Sequence, residues 1–326
     1  MRVGIELNER IVNKIFRILN EHIGEEVKLD DLLLELFRNN VSCSDYLFFI
    51  LSKLEPLGFV EGRKGSVKIN RVVDKQTMQT VKEEIKEEMG RHQKIFVTPL
   101  EVAKFYQCPR RLYLEKVVMS KQFKKERGKV WDGEALHFGV KLFIDNLLKA
   151  PATELLEEIP AIVLEKYEGK VTMNHEMIKG FLSNLYELIK SERFKLIFTE
   201  RTLESIRSGI VGTPDIIAKK ENKEYLAIDV KLGKFDRRHG IKKEHLLQNI
   251  GEVILVEDFF RTRVKEVYLI YFQSNMVIKV DVTETLKDEF MRFKKMLERV
   301  VTNHVIPGKS KLPNAENRVC KGCHVR

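Results

Sequence analysis

Apolar residues recur along the chain with two different periods, and the switches between them mark its regions. From residue 8 to about 55 the spacing is helical. "NERIVNKIFRILNEHI" puts Ile11, Ile15, Ile18 and Leu19 on one face behind Asn8, a residue type that caps helices. "KLDDLLLELFRN" predicts a second short helix with Asp30 near its start, and Ser42 or Ser44 can cap a third running through Tyr46, Phe49, Ile50 and Leu54. The next stretch, "LGFVEGRKGSVKIN", alternates instead, which predicts two short strands around a tight turn at Arg63-Lys64-Gly65-Ser66.

Three helices followed by a basic hairpin resemble a winged helix-turn-helix over residues 1–75. That resemblance implies a third helix entering a DNA groove, with Arg63 and Lys64 of the wing as substrate-binding residues on the phosphates. Dimerisation or packing against the rest of the chain is the alternative, because the third helix is poor in Arg and Lys. Cys43 reads as a small buried apolar residue.

Residues 76–94 are charged and helical in pattern and read as a helical linker with a solvated face. Residues 95–326 form the main domain. "TPLEVAKFYQCPRRLYLEKV" is helical with a break at Pro109, "WDGEALHFGVKLFIDNLLK" is strongly amphipathic, and helical spacing continues to about residue 195. Strands then dominate: "KLIFTERTLE", "GIVGTPDIIAKK", "EYLAIDVKLG" and "EVYLIYF". A helix around "EHLLQNIGEVILVEDFF" separates the last two, and "ETLKDEFMRFKKMLERVVTN" is a final helix. The order predicts an α/β domain with a mixed sheet flanked by helices.

Composition changes this picture in three ways. With 43% apolar and 33% charged residues, the 326-residue chain supports packed cores and a soluble surface. The longest apolar runs are far too short to span a bilayer and no secretory leader pattern opens the chain, so a cytoplasmic protein without a membrane partner is expected. The net charge of +10 favours a polyanionic partner. Of the four cysteines, Cys320 and Cys323 form a CxxC, which reads as half of a metal or redox site.

The chemistry concentrates in "GIVGTPDIIAKKENKEYLAIDVK", two strands joined by a polar turn. Asp215 sits on the first. Asp229 and Lys231 sit on the second, where i and i+2 share a face. Two carboxylates converging from paired strands make a hard-oxygen site suited to Mg²⁺ or Mn²⁺. Lys231 can orient or help deprotonate an attacking water, and its charge offsets that developing on a phosphate.

Asp215 with Asp229-Val230-Lys231 resembles the motif of the PD-(D/E)xK nucleases, whose fold is restriction-endonuclease-like. His137 in "GEALHFG" matches the histidine of the RecB-like branch and is thereby implied as a third metal ligand. Gln248 in "HLLQNIGE" falls where that branch has a substrate-facing glutamine, although Glu252 stands where a tyrosine follows it. "YQCPRRLYL" around Cys108, with "CKGC" at 320–323, is similar to the iron–sulfur RecB-like exonucleases, which include CRISPR-associated adaptation nucleases. The resemblance implies a [4Fe–4S] cluster on Cys108, Cys320 and Cys323. Such clusters take four thiolates, which leaves four alternatives: a fourth ligand beyond Cys323, a substitution by His324, a different ion, or three cysteines that ligate nothing.

Together these features predict a divalent-metal-dependent DNA nuclease, an exonuclease on single strands or ends, working with CRISPR adaptation or DNA repair proteins. The alternative is a DNA-binding regulator or a structural subunit of such a complex with an inactive nuclease fold.

Overall fold

The computed structural model describes residues 2–3, 7–90, 95–116 and 127–303. The chain divides into two compact units. Met1–Thr98, Thr202–Gly212 and Ile254–Thr262 make one, and Pro99–Arg201, Thr213–Val253 and Arg263–Arg326 the other.

The first unit opens with β1 (Arg2–Val3), α1 (Glu9–Glu21), β2 (Glu26–Lys28), α2 (Leu29–Arg38) and α3 (Asp45–Leu54). It continues with β3 (Val60–Arg63), β4 (Ser66–Ile69), α4 (Lys75–Gly90) and β5 (Ile95–Phe96). The Asn8 side chain accepts from Ile11 N at 3.3 Å, which is the predicted cap of α1, and Ile15, Ile18 and Leu19 are fully buried. Cys43 is buried too. The hairpin forms around Gly65, at a φ of 78° that strains any residue with a Cβ. β2, too short to disclose itself by alternation, joins the hairpin in an antiparallel sheet of order β2-β4-β3. The segment read as a solvated connector is more than that. Val81, Ile85 and Met89 of α4 are buried, and Lys53 of α3 pairs with Glu88 at 3.2 Å. Its one narrow apolar stripe is easily hidden among so many charges.

Next in chain order come α5 (Pro99–Gln107), α6 (Pro109–Lys116), α7 (Arg127–Asn146), α8 (Ala152–Lys166), α9 (His175–Ser191) and β6 (Phe194–Thr199). The hairpin of β7 (Leu203–Ser205) and β8 (Ile210–Gly212) groups with the first unit. The chain then runs through β9 (Ile216–Lys220), β10 (Tyr225–Lys231), α10 (Lys243–Phe260), β11 (Glu266–Tyr271), β12 (Met276–Asp281) and α11 (Glu284–Thr302). The main sheet has the order β12-β11-β10-β9-β6. β10 and β11 are parallel, with α10 in the connection, and their other neighbours are antiparallel, so the sheet is mixed and flanked by helices.

Two expected strands split. Glu200, at a φ of 48°, ends β6, and Pro214, which has no N–H for a ladder, separates β8 from β9. β12, an edge strand that is only partly buried, has no clear signature in the sequence pattern.

The period of β10 decides where the chemistry sits. Leu226, Ile228 and Val230 join Ile216 and Ala218 of β9 and Ile270 of β11 in one apolar core with α7, α8 and α9. Ala227, Asp229 and Lys231 are left for the opposite face.

Candidate active site

Asp215 stands at the entry to β9. The register that pairs Ile216 with Ile228 brings it beside Asp229 on β10. One of its oxygens, Oδ2, accepts from Val230 N at 2.7 Å. His137 Nδ1, on α7, lies 3.5 Å from the other. Asp229 is 1% exposed, and its Oδ2 lies 2.7 Å from Lys231 Nζ as an ion pair. Neither Asp229 oxygen has a hydrogen-bond partner of good geometry. Asp215, Asp229, Lys231 and His137 are thus neighbours.

α10 closes the opposite side. Lys231 Nζ donates to Gln248 Oε1 at 2.8 Å, and Gln248 Nε2 donates to Glu252 Oε1 at 3.1 Å. Both ends of the Gln248 amide, expected to face substrate, are therefore engaged inside the protein. Glu252 is 3% exposed, and its Oε2 has no partner. His245, one turn earlier, places Nδ1 3.1 Å from Tyr271 OH at the end of β11. Phe235, in the loop after β10, packs its ring 5.4 Å from Tyr271. The sequence pattern singles out neither His245 nor the contact that Glu252 makes. The available signal was the spacing of His245, Gln248 and Glu252, which sets all three on one helical face.

Burial and charge set the protonation states. Burial, then the nearby Asp229 charge, drives the Asp215 carboxyl well above the ordinary range. Burial, then Asp229 and Asp215, does the same to Glu252. Burial pulls the Lys231 ammonium down, but Asp229 and Glu252 outweigh it and hold the group above its usual value. His137 is lowered by burial, against the pull of Glu200 and Asp229, so its imidazole is neutral at neutral pH. His245 falls to about 4 through burial and Lys231, and burial pushes the Tyr271 phenol up to about 12.

Asp215, Asp229 and Glu252 share a single ammonium, that of Lys231, and burial favours the protonated form of Asp215 and Glu252 in the absence of a further cation. The Asp229 oxygens, which accept no hydrogen bond, and Asp215 Oδ1 are hard donors that suit a divalent cation. Among the described residues no three His, Cys, Asp or Glu side chains cluster tightly enough to form a finished metal site; water and a phosphate oxygen would complete the shell, as is usual for Mg²⁺.

Other expected residues lie apart from this cluster. Cys108 is buried at the junction of α5 and α6, where its Sγ accepts from Arg111 N at 3.4 Å. Cys320, Cys323 and His324 lie outside the described residues. Arg63 is tied to Glu26 and Glu61, which raise its already high pKa. Lys64, at the tip of the same turn, is exposed. Among the described residues no helix is long and apolar enough to cross a membrane.

None of the curated proteins is similar enough to the chain to count as a match. Among solved structures, one described as "Crystal structure of SSO0001" aligns over 77% of this chain and 93% of that one at 14% identity. Its TM-score of 0.33 is too low to carry an argument. The model of the PD-(D/E)XK nuclease superfamily matches residues 97–326, the stretch that holds both acids and the lysine. The chain belongs to the PD-(D/E)XK nuclease superfamily.

Proposed function

We propose that the chain is a divalent-metal-dependent deoxyribonuclease acting on single strands or DNA ends, with Asp215, Asp229 and His137 as metal ligands and Lys231 as the catalytic cation. The observation that carries this reading is the buried grouping of Asp215, Asp229 and Lys231 inside a nuclease-superfamily domain. Mg²⁺ or Mn²⁺ held by these groups would polarise the scissile phosphate and acidify a water. His137, neutral through burial, offers an imidazole lone pair.

Lys231, paired with Asp229 and donating to Gln248, orients or helps deprotonate the attacking water, and its charge counters what develops on the phosphoryl oxygens.

A DNA substrate is supported by the +10 charge and by exposed Arg237 and Arg238 in the loop that leaves β10. The helix–strand–helix–helix–strand–strand order of α1 to β4 supports a winged helix in the first unit. Lys64 is then the wing cation for phosphate, while Arg63 braces the wing through Glu26. The setting in CRISPR adaptation or DNA repair, the cytoplasmic location and a [4Fe–4S] cluster on Cys108, Cys320 and Cys323 rest on the sequence readings alone. A brown preparation whose visible absorption bleaches with dithionite carries the cluster, and a colourless one does not.

The decisive experiment incubates end-labelled single- and double-stranded DNA, with RNA in parallel, in Mn²⁺ or EDTA. Metal-dependent shortening of DNA that falls on the order of 10²-fold or more in Lys231→Ala is the expected result. Equal activity in Lys231→Ala refutes the assignment.

A further inference from the structure

We infer that Glu252 is a positioning residue that acts through Gln248 to hold the Lys231 ammonium in place, so that the active site is braced by a Glu252–Gln248–Lys231 relay. The inference rests on the nuclease reading above and adds a residue to it.

The polarity of the relay is set by hydrogen-bond chemistry. Lys231 is a donor without acceptor capacity, so its Gln248 partner must present oxygen. The observed contact is Nζ to Oε1 at 2.8 Å. The other end of the amide is then a pair of N–H donors pointing into a buried site, and it requires an acceptor. Glu252 supplies one, taking Nε2 at 3.1 Å. Lys231 thus sets which end of the amide faces it, and Glu252 engages the other end, so the Gln248 side chain is held from both sides. Spacing supports the same conclusion: residues 248 and 252 are one turn apart on α10, so the helix backbone holds donor and acceptor in reach without any loop.

Burying this carboxyl is unfavourable for folding. It is 3% exposed, one oxygen has no partner, and leucine in its place would remove that penalty. A group that burdens the fold and contacts the lysine's own partner fits a role in orienting the lysine.

The test is a double-mutant cycle. Glu252→Leu should lower kcat for Mn²⁺-dependent DNA cleavage on the order of 10- to 100-fold, as expected for a misplaced catalytic group, with KM for DNA changed less than about twofold. Glu252→Gln, which keeps an acceptor, should recover most of that loss. In a Gln248→Leu background the further change to Glu252→Leu should have almost no effect, because the relay is already cut. Full kcat in Glu252→Leu, or an equal loss in both backgrounds, overturns the inference while leaving the nuclease reading intact. Should wild-type protein cleave nothing, the nuclease reading fails by itself. The relay is then judged by thermal unfolding of the same four proteins, where additive shifts overturn it and a coupling between positions 248 and 252 supports it.

Discussion

Asp215 and Glu252 are carboxyls taken out of water beside Asp229, and both therefore hold their protons more tightly folded than unfolded. The linkage follows directly. A carboxyl with a raised folded-state pKa favours folding most at pH below its ordinary value, 3.8 for Asp215 and 4.5 for Glu252. That contribution is lost as pH climbs through the raised value. Metal-free protein should accordingly melt at lower temperature as pH rises above about 4, through these two groups. Asp215→Asn removes one of the acids. It should raise the melting temperature of metal-free protein at neutral pH by at least about 2 °C while abolishing Mn²⁺-dependent cleavage. A variant melting lower than wild type at that pH would show that the buried acid is not a burden on the fold.

At the scale of elements, the cluster depends on how closely α10 approaches its neighbours. A Cβ added at Gly251 would lie 2.6 Å from the Phe290 ring of α11 and 2.8 Å from Cβ of Pro99 at the start of α5. Phe290 is fully buried, so the contact cannot be relieved by turning a side chain into solvent. Gly251→Ala should lower stability by about 1–3 kcal/mol despite alanine's better helix propensity. It should also shift α10, and so lower cleavage, because Gln248 and Glu252 lie on either side of the same position. Denaturant unfolding and cleavage rate, measured on one preparation, check both. An alanine variant as stable as wild type would show that α10 tolerates a wider separation.

At the scale of the whole molecule, the superfamily match runs unbroken over residues 97–326, yet two pieces within it group with the amino-terminal unit. Asp45, at the start of α3, shows what holds them. Its Oδ2 accepts from Ile206 N at 2.7 Å and Arg207 N at 3.2 Å, and it pairs with Arg261. Ser205 Oγ donates to Asp258 at 2.6 Å, and Phe37 packs against Phe259 and Phe260. A fragment ending at residue 98 lacks every one of these partners. It should show no cooperative unfolding transition, and Asp45→Ala in the full chain should cost about 3 kcal/mol. A fragment 1–98 with a sharp transition would show that the unit stands without them.

Much of this was legible in one dimension because it depends on neighbours in sequence. Helical spacing and the Asn8 cap placed α1, and the glycine turn placed the β3–β4 hairpin. The period of two put Asp229 and Lys231 on one face of β10, whatever the strand packs against. The pairing of Asp215 with that strand was legible as well, since a short polar turn leaves little choice of partner. The rest was decided by contacts between residues distant in the chain. Whether α4 is a connector or a packed helix depends on what covers Val81, Ile85 and Met89. Whether Glu252 is a mere departure from a motif or the brace of Lys231 depends on α10 lying across the end of β10. Local pattern reports which face a residue takes, and only the folded chain determines what that face meets.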